Sequence, residues 1–108
     1  MSIVSSALND NASIKYDLEA WFPGSNTYRE LVSCTNCKDY QARKIKARFG
    51  KAGASDSQML HTLNSTAIAT ERTICCLIEN YQQENGDIKI PEVLIPYMNG
   101  IEIIKAKK

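Results

Sequence analysis

The chain is poor in the side chains that carry the commonest enzyme chemistry. His61 is its one histidine. A histidine-based triad therefore has a single candidate, and that residue falls inside an expected strand, where a packed or exposed imidazole is the common fate. There is no Gly-rich phosphate loop, no His-Glu-x-x-His and no Gly-x-Ser-x-Gly, which removes the familiar nucleotide-loop, zinc-protease and serine-hydrolase signatures. No apolar run approaches the ~20 residues that span a bilayer. Met1-Ser2-Ile3-Val4 lacks a basic start followed by an apolar stretch, so no signal peptide is expected and a cytoplasmic location is favoured. Neither a repeat nor a low-complexity segment occurs.

What is present reads as an ordinary soluble chain. Apolar residues make up 44% and charged residues 23%, which argues against disorder and against a fibrous protein. At 108 residues a single domain, or part of one, with one core is expected. Net charge is +1, so the overall balance does not call for nucleic acid. Two clusters stand out: Lys38, Arg43, Lys44, Lys46, Arg48 and Lys51, then Lys105, Lys107 and Lys108 at the tail. They read as solvated faces and a frayed end.

Four cysteines remain: Cys34, Cys37, Cys75 and Cys76. Without a signal peptide they are expected to be reduced thiols. Cys34-Thr35-Asn36-Cys37 has zinc-ligand spacing, but a structural zinc needs four matched ligands. Cys75 and Cys76 are adjacent and diverge by about 100° on a helix. Core thiols are the expectation, with no structural zinc and no Cys34–Cys37 disulfide.

Residues 14–22 alternate, with Ile14, Tyr16, Leu18, Ala20 and Phe22 on one face, and predict a strand. Pro23-Gly24-Ser25-Asn26 is a turn, and residues 27–34 form its antiparallel partner. Asp39 suits the N-cap of one helical turn through Arg43. Alternation predicts further strands over 44–49 and 58–64, separated by a loop over 50–57. The clearest helix spans 66–83, capped by Ser65 or Thr66 and ended by Asn85-Gly86. Ile74, Leu77, Ile78 and Tyr81 form its expected packing face, with small Ala69 and Cys76 on the opposite flank. A short strand over 88–90 precedes Pro91, which suits the first turn of a helix. Strands in succession and then a long helix give an α+β fold, an antiparallel β-sheet with a long packed helix.

Chemistry is concentrated where strands end in polar clusters: Arg29-Glu30-Leu31-Val32-Ser33 and His61-Thr62-Leu63-Asn64-Ser65-Thr66. The second leads toward a helix N-terminus, which favours anions. Arg72 lies about 9 Å further along that helix at ~1.5 Å per residue. An arginine among Ile68, Ala69 and Cys76 is expected to have a partner, either a carboxylate such as Glu79 or a bound anion.

Three blocks together carry a resemblance. Tyr16-Asp17-Leu18-Glu19-Ala20-Trp21-Phe22-Pro23 is the first. The second is Arg29-Glu30-Leu31-Val32-Ser33-Cys34-Thr35-Asn36-Cys37 with Asp39-Tyr40-Gln41-Ala42-Arg43. The third is His61-Thr62-Leu63-Asn64-Ser65-Thr66 through Arg72 to Leu77-Ile78-Glu79-Asn80-Tyr81-Gln82. With Ile90-Pro91-Glu92-Val93-Leu94 and Pro96-Tyr97-Met98, they resemble the C-terminal part of the catalytic domain of the seryl-tRNA synthetases, which are class II aminoacyl-tRNA synthetases. The resemblance covers nearly the whole chain in order.

It implies a homodimeric ligase that activates serine with ATP and magnesium to seryl-adenylate and then transfers serine to tRNA. Arg72 matches the motif 3 arginine on the ATP γ-phosphate and is the residue expected to act in catalysis; its fork geometry suits phosphate oxygens. Glu30 and Ser33 match the positions that bind ATP-linked magnesium, a metal that takes hard oxygen ligands. Asn64 and Thr66 match the serine pocket. Alternation puts Leu60, Thr62, Asn64 and Thr66 on one side, which suits a shared pocket. Strict alternation puts Glu30 and Ser33 on opposite faces unless a bulge intervenes or the strand ends near Val32. The family's motif 1, motif 2 and tRNA-gripping helical hairpin have no counterpart here. Residues 1–108 thus read as the motif 3 portion of such a domain, expected to be inactive alone and to leave apolar sheet residues uncovered. A non-catalytic interaction module and a zinc-binding module are the other readings.

Overall fold

In the computed structural model, which describes residues 1–51, 53 and 56–107, the expected alternation of the first strand appears at its expected limits. β1 spans Ile14–Phe22. A 3-10 turn at Pro23–Ser25 follows, closed by Asn26 in the left-handed region at φ 51°. β2 then runs Thr27–Lys38, past the expected end at Cys34. β5 (Thr62–Thr66) completes a three-stranded sheet in the order β1-β2-β5. β2 and β5 are antiparallel, with Ser33 opposite Thr66, Thr35 opposite Asn64, and a register shift between Asn36 and Lys38. On the outer edge of β1, Ile3 donates to the Lys15 carbonyl and Asp17 donates to the Met1 carbonyl, both near 3 Å.

Two short antiparallel ribbons accompany the sheet. β3 (Arg48–Phe49) pairs with β4 (Gln58–Met59), and β6 (Ile88–Lys89) pairs with β7 (Ile103–Ile104). The expected strand over 44–49 is corrected. Lys44 and Ile45 close helix α1 (Tyr40–Ile45), and Lys46 terminates it in the left-handed region at φ 57°. A terminus of that kind donates its amide back to the helix, here to the Ala42 carbonyl, and leaves only Arg48 and Phe49 extended. Asp39 does sit at the N-cap, but its side chain pairs with Arg43 at 3.6 Å rather than capping. The expected strand over 58–64 is two strands, and exposed His61 lies between them rather than inside one. The expected loop 50–57 includes residues 52, 54 and 55, which with Lys108 lie outside the described residues.

Helix α2 spans Thr70–Tyr81, not 66–83. Ser65 and Thr66 belong to β5 and cap nothing. The chain stays beside β2 for three residues more, because the Ala69 amide donates to the Leu31 carbonyl at 2.7 Å. Beyond α2, Asn85-Gly86 forms a separate turn: Asn85 Oδ1 accepts from the Asp87 amide, and Gly86 takes φ 83°. Pro91 is the cap of a 3-10 helix at Glu92–Met98, one position before the first turn.

The expected packing face of α2 is also corrected. Ile74, Ile78 and Tyr81 are exposed, while Cys76 is buried and Thr73 and Leu77 are half-buried. Positions 73, 76, 77 and 80 make one helical face by their spacing. Small side chains there allow close approach: Asn80 Nδ2 donates to the Trp21 carbonyl at 3.0 Å, and Cys76 Sγ lies 3.7 Å from the same oxygen. Bulk in the sequence did not mark the face that is covered.

The chain forms two compact units, residues 1–19 with 30–69 and residues 20–29 with 70–108. The first buries Cys37, Ala42, Ser33, Thr35 and Asp17; the second buries Phe22, Cys76, Ile90 and Asp87. β1 and β2 contribute residues to both.

Candidate functional site

In the first unit, β2 and β5 assemble a patch of hydroxyl and amide groups. Residues directly opposite across an antiparallel pair project to the same face, with Cβ atoms about 4.5–5.5 Å apart. Ser33 is opposite Thr66 and Thr35 is opposite Asn64. All four therefore share one face, joined by Thr62 through the alternation of β5. Ser33 and Thr35 are buried, whereas Asn64 and Thr66 are exposed, so the β5 residues offer their polar groups outward above a covered polar floor. Ser65, on the other face, ties the strands together by donating its hydroxyl to the Ser33 carbonyl at 2.8 Å. The expected neighbourhood of Asn64 and Thr66 is present. Thr35 was missed by sequence reasoning, because its place beside Asn64 comes from the pairing of β2 with β5.

Glu30 also lies on β2, three positions before Ser33. The strand does not end near Val32, and the β2–β5 register shift falls beyond Asn36. Glu30 and Ser33 carry hard oxygen donors of the kind magnesium takes. The Glu30 carboxylate accepts from Lys15 Nζ at 2.9 Å.

Lys15 also reaches Asp17 Oδ2 at 3.1 Å. The Glu30 carboxylate, with Asp17, holds the ammonium above the usual lysine range against a smaller opposing effect of burial. Asp17 is almost wholly buried, and its Oδ1 has no hydrogen-bond partner among the described residues. A carboxylate buried in that way is a poor stabiliser taken alone, so Lys15 is its essential counter-ion.

In the second unit, Arg72 sits in the first turn of α2 beside Glu71 and is exposed, not enclosed by its apolar neighbours as its sequence context suggested. The expected alternative partner, Glu79, is engaged two turns further along. Its Oε2 accepts from the Gly24 amide at 2.8 Å. A Cβ at Gly24 would lie 3.1 Å from that oxygen, so glycine allows the carboxylate to close on the turn. Around it, Trp21 meets Tyr28 edge to face at 5.0 Å, and the Arg29 guanidinium lies 5.9 Å from the centre of the Phe22 ring.

All four cysteines are free thiols. On β2, Cys34 is exposed and Cys37 is buried. Among the described residues no group of three or more His, Cys, Asp or Glu side chains could hold a metal. No described helix is long and apolar enough to cross a membrane.

An antiparallel sheet with polar strand ends and an arginine opening the following helix is the arrangement of a class II synthetase core. Residues 2–81 match the family model of the tRNA synthetase class II core domain (G, H, P, S and T), and the chain belongs to that family. Its similar relatives are serine–tRNA ligases. That of Methanosphaera stadtmanae is 83% identical over 99% of this chain, and the cytoplasmic one of Arabidopsis thaliana is 63% identical over 93%. The chain spans 25% and 22% of those two proteins. Two solved structures share the fold. The cytoplasmic serine–tRNA ligase of Naegleria fowleri in complex with AMP matches with TM-score 0.85 at 54% identity, over 99% of this chain and 26% of that one. The seryl-tRNA synthetase of Pyrococcus horikoshii complexed with ATP matches with TM-score 0.87 at 44% identity, over 99% and 24%.

Proposed function

We propose that this chain is the motif 3 portion of a serine–tRNA ligase, contributing serine and nucleotide contacts to a catalytic domain completed by sequence outside residues 1–108. The whole enzyme joins serine to ATP as seryl-adenylate, releases pyrophosphate, and passes serine to tRNA. The carrying observation is the shared face of Asn64 and Thr66 above Ser33 and Thr35. Exposed amide and hydroxyl groups over a buried polar floor can pair with a substrate hydroxyl. Arg72 serves the ATP γ-phosphate through its two-pronged donor geometry, and Glu30 and Ser33 serve ATP binding. Magnesium accompanies the nucleotide phosphates and supplies charge neutralisation there. The relatives solved with AMP and ATP support the nucleotide part of this reading. A homodimer and a cytoplasmic location belong to the same proposal. The isolated chain is proposed to be inactive, because class II chemistry depends on groups positioned around the whole nucleotide.

The serine assignment is tested by ATP–pyrophosphate exchange in a full-length protein carrying this segment. A site built around a substrate hydroxyl rejects the analogue lacking it strongly, by up to about 10⁴–10⁵. Thr66→Val should raise the KM for serine and narrow the preference for serine over alanine by about tenfold or more, with the fold intact. An unchanged preference contradicts the assignment. The second reading, a non-catalytic interaction module, draws support from Ile14, Tyr16 and Leu18, exposed along one face of β1. Serine-dependent exchange by the full-length protein excludes it.

A further inference from the structure

The charge of this chain is segregated. Residues 38–51 hold six cations, Lys38, Arg43, Lys44, Lys46, Arg48 and Lys51, against one carboxylate, Asp39, a net +5 in a chain of net +1. All six are exposed. Arg43 is partly engaged by Asp39, and Arg48 is fixed by Ser57, whose hydroxyl accepts from Nε at 2.9 Å. Lys44 and Lys46 have no carboxylate within ion-pair reach among the described residues. On α1, Tyr40, Arg43 and Lys44 stand at i, i+3 and i+4, one continuous helix face. They line an open hollow of about 470 Å³, and Tyr40 is 46% exposed. An exposed tyrosine beside two long cations is the combination that stacks an unpaired base while its phosphates are neutralised.

Position strengthens the case. Thr62 Oγ1 and Gln41 Oε1 lie 2.7 Å apart, so α1 borders the sheet face that carries Asn64 and Thr66. Thr62 and Thr66 are four residues apart on β5, about 13 Å at ~3.3 Å per residue. We infer that the Tyr40–Arg43–Lys44 face of α1, with Lys46, binds single-stranded RNA near its unpaired end, Tyr40 stacking a base and the cations taking phosphates. The occupant is RNA rather than an anionic membrane, because the apolar Ile45 falls on the opposite side of α1 from this face, and a membrane-seeking helix needs its cations flanking its apolar stripe. This deepens the tRNA part of the proposed function and is independent of its serine and ATP contacts.

The probe is a short fluorescein-labelled single-stranded RNA, titrated with the 108-residue chain and read by anisotropy in the absence of serine and ATP. With about three phosphates neutralised, affinity should fall about twentyfold between about 50 and 200 mM KCl. Arg43→Glu with Lys44→Glu should weaken binding about tenfold or more and flatten the salt slope by about 1.4. Tyr40→Ala should weaken it about fivefold to a hundredfold without changing the slope, and Tyr40→Phe should restore it. Lys89→Glu with Lys107→Glu, equal in charge but outside the patch, should leave binding unchanged, with circular dichroism confirming each fold. Equal losses from both charge reversals, indifference to Tyr40→Ala, or equal capture by phosphatidylserine vesicles would overturn the inference. Because neither serine nor nucleotide is present, such a failure would leave the exchange tests of Thr66 and Arg72 to be judged on their own.

Discussion

Lys15 holds two carboxylates that would otherwise repel, one almost wholly buried and one half-exposed. Lys15→Met strands Asp17, and leaving a buried charged acceptor unpaired costs at least about 1–3 kcal/mol. Asp17→Asn should recover part of that loss, so a thermal double-mutant cycle should give a coupling above about 1 kcal/mol. Purely additive losses contradict the pairing. The sign of the pH effect follows from the raised lysine value. The contribution is fully present below the unfolded lysine value and is lost only as pH rises through the folded one, so the pair persists at neutral pH. Thiol reactivity offers a second check at this scale. Cys34 and Cys75 are exposed while Cys37 and Cys76 are buried, so two fast and two slow phases with a thiol reagent are expected in native protein. Four equally fast thiols would show that β2 and α2 do not cover what they cover here. Legibility differed among these residues for a physical reason. That Asn64 and Thr66 share a face was readable because the two-residue period of a strand holds at short range. Thr35 and Lys15 were not, because one depends on cross-strand register and the other on which strand lies beside β1.

Elements reveal where local patterns mislead. Alternation over 44–49 suggested a strand, yet the short helix α1 takes Lys44 and Ile45, and a left-handed Lys46 turns the chain before two residues extend. Ala67, Ile68 and Ala69 favour helix by propensity, but the Leu31 carbonyl takes the Ala69 amide and delays α2 to Thr70. Both errors sit at element ends, the first set by a left-handed helix terminus and the second by a single tertiary hydrogen bond that outweighs propensity. The β6–β7 ribbon has its own clasp. Buried Asp87 accepts from Lys105 Nζ at 2.7 Å, from the Ala106 amide at 3.0 Å and from Asn85 Nδ2 at 3.2 Å. Lys105, followed by the Ala106 amide, holds its carboxyl below the usual aspartate range. A depressed value stabilises above the unfolded aspartate value and is lost as pH falls through the folded one. Amide exchange at Ala106 and Ile104 should therefore accelerate on acidification below the ordinary aspartate range, and Asp87→Asn should give that faster exchange already at neutral pH. Exchange at these amides that is insensitive to both changes would remove Asp87 as the clasp.

Across the whole molecule, large apolar side chains remain open to solvent. Ile14, Tyr16 and Leu18 line one face of β1, and Ile74, Ile78 and Tyr81 line one side of α2. Contiguous apolar patches beyond a few hundred Å² drive association. The isolated chain should self-associate or bind a hydrophobic dye at micromolar concentration; a monodisperse monomer with no dye signal would contradict that. Such open faces also fit a segment covering about a quarter of each similar relative, since a catalytic domain of that length can bury them. Three sequence blocks that resemble the family in order made it legible in sequence, but the exposed α2 rows were not, because apolar periodicity reports a face to be covered without saying by what. The central claim is that the arginine opening α2 serves ATP. Its most direct test is Arg72→Ala in a full-length protein carrying this segment, with serine-dependent ATP–pyrophosphate exchange and the unfolding midpoint measured on the same preparation. Losing one charge-assisted contact of this kind costs about 3–4 kcal/mol of barrier, so exchange should fall about a hundredfold to a thousandfold while the midpoint moves little. Near-normal exchange with a collapsed midpoint would make Arg72 a structural residue and contradict the account.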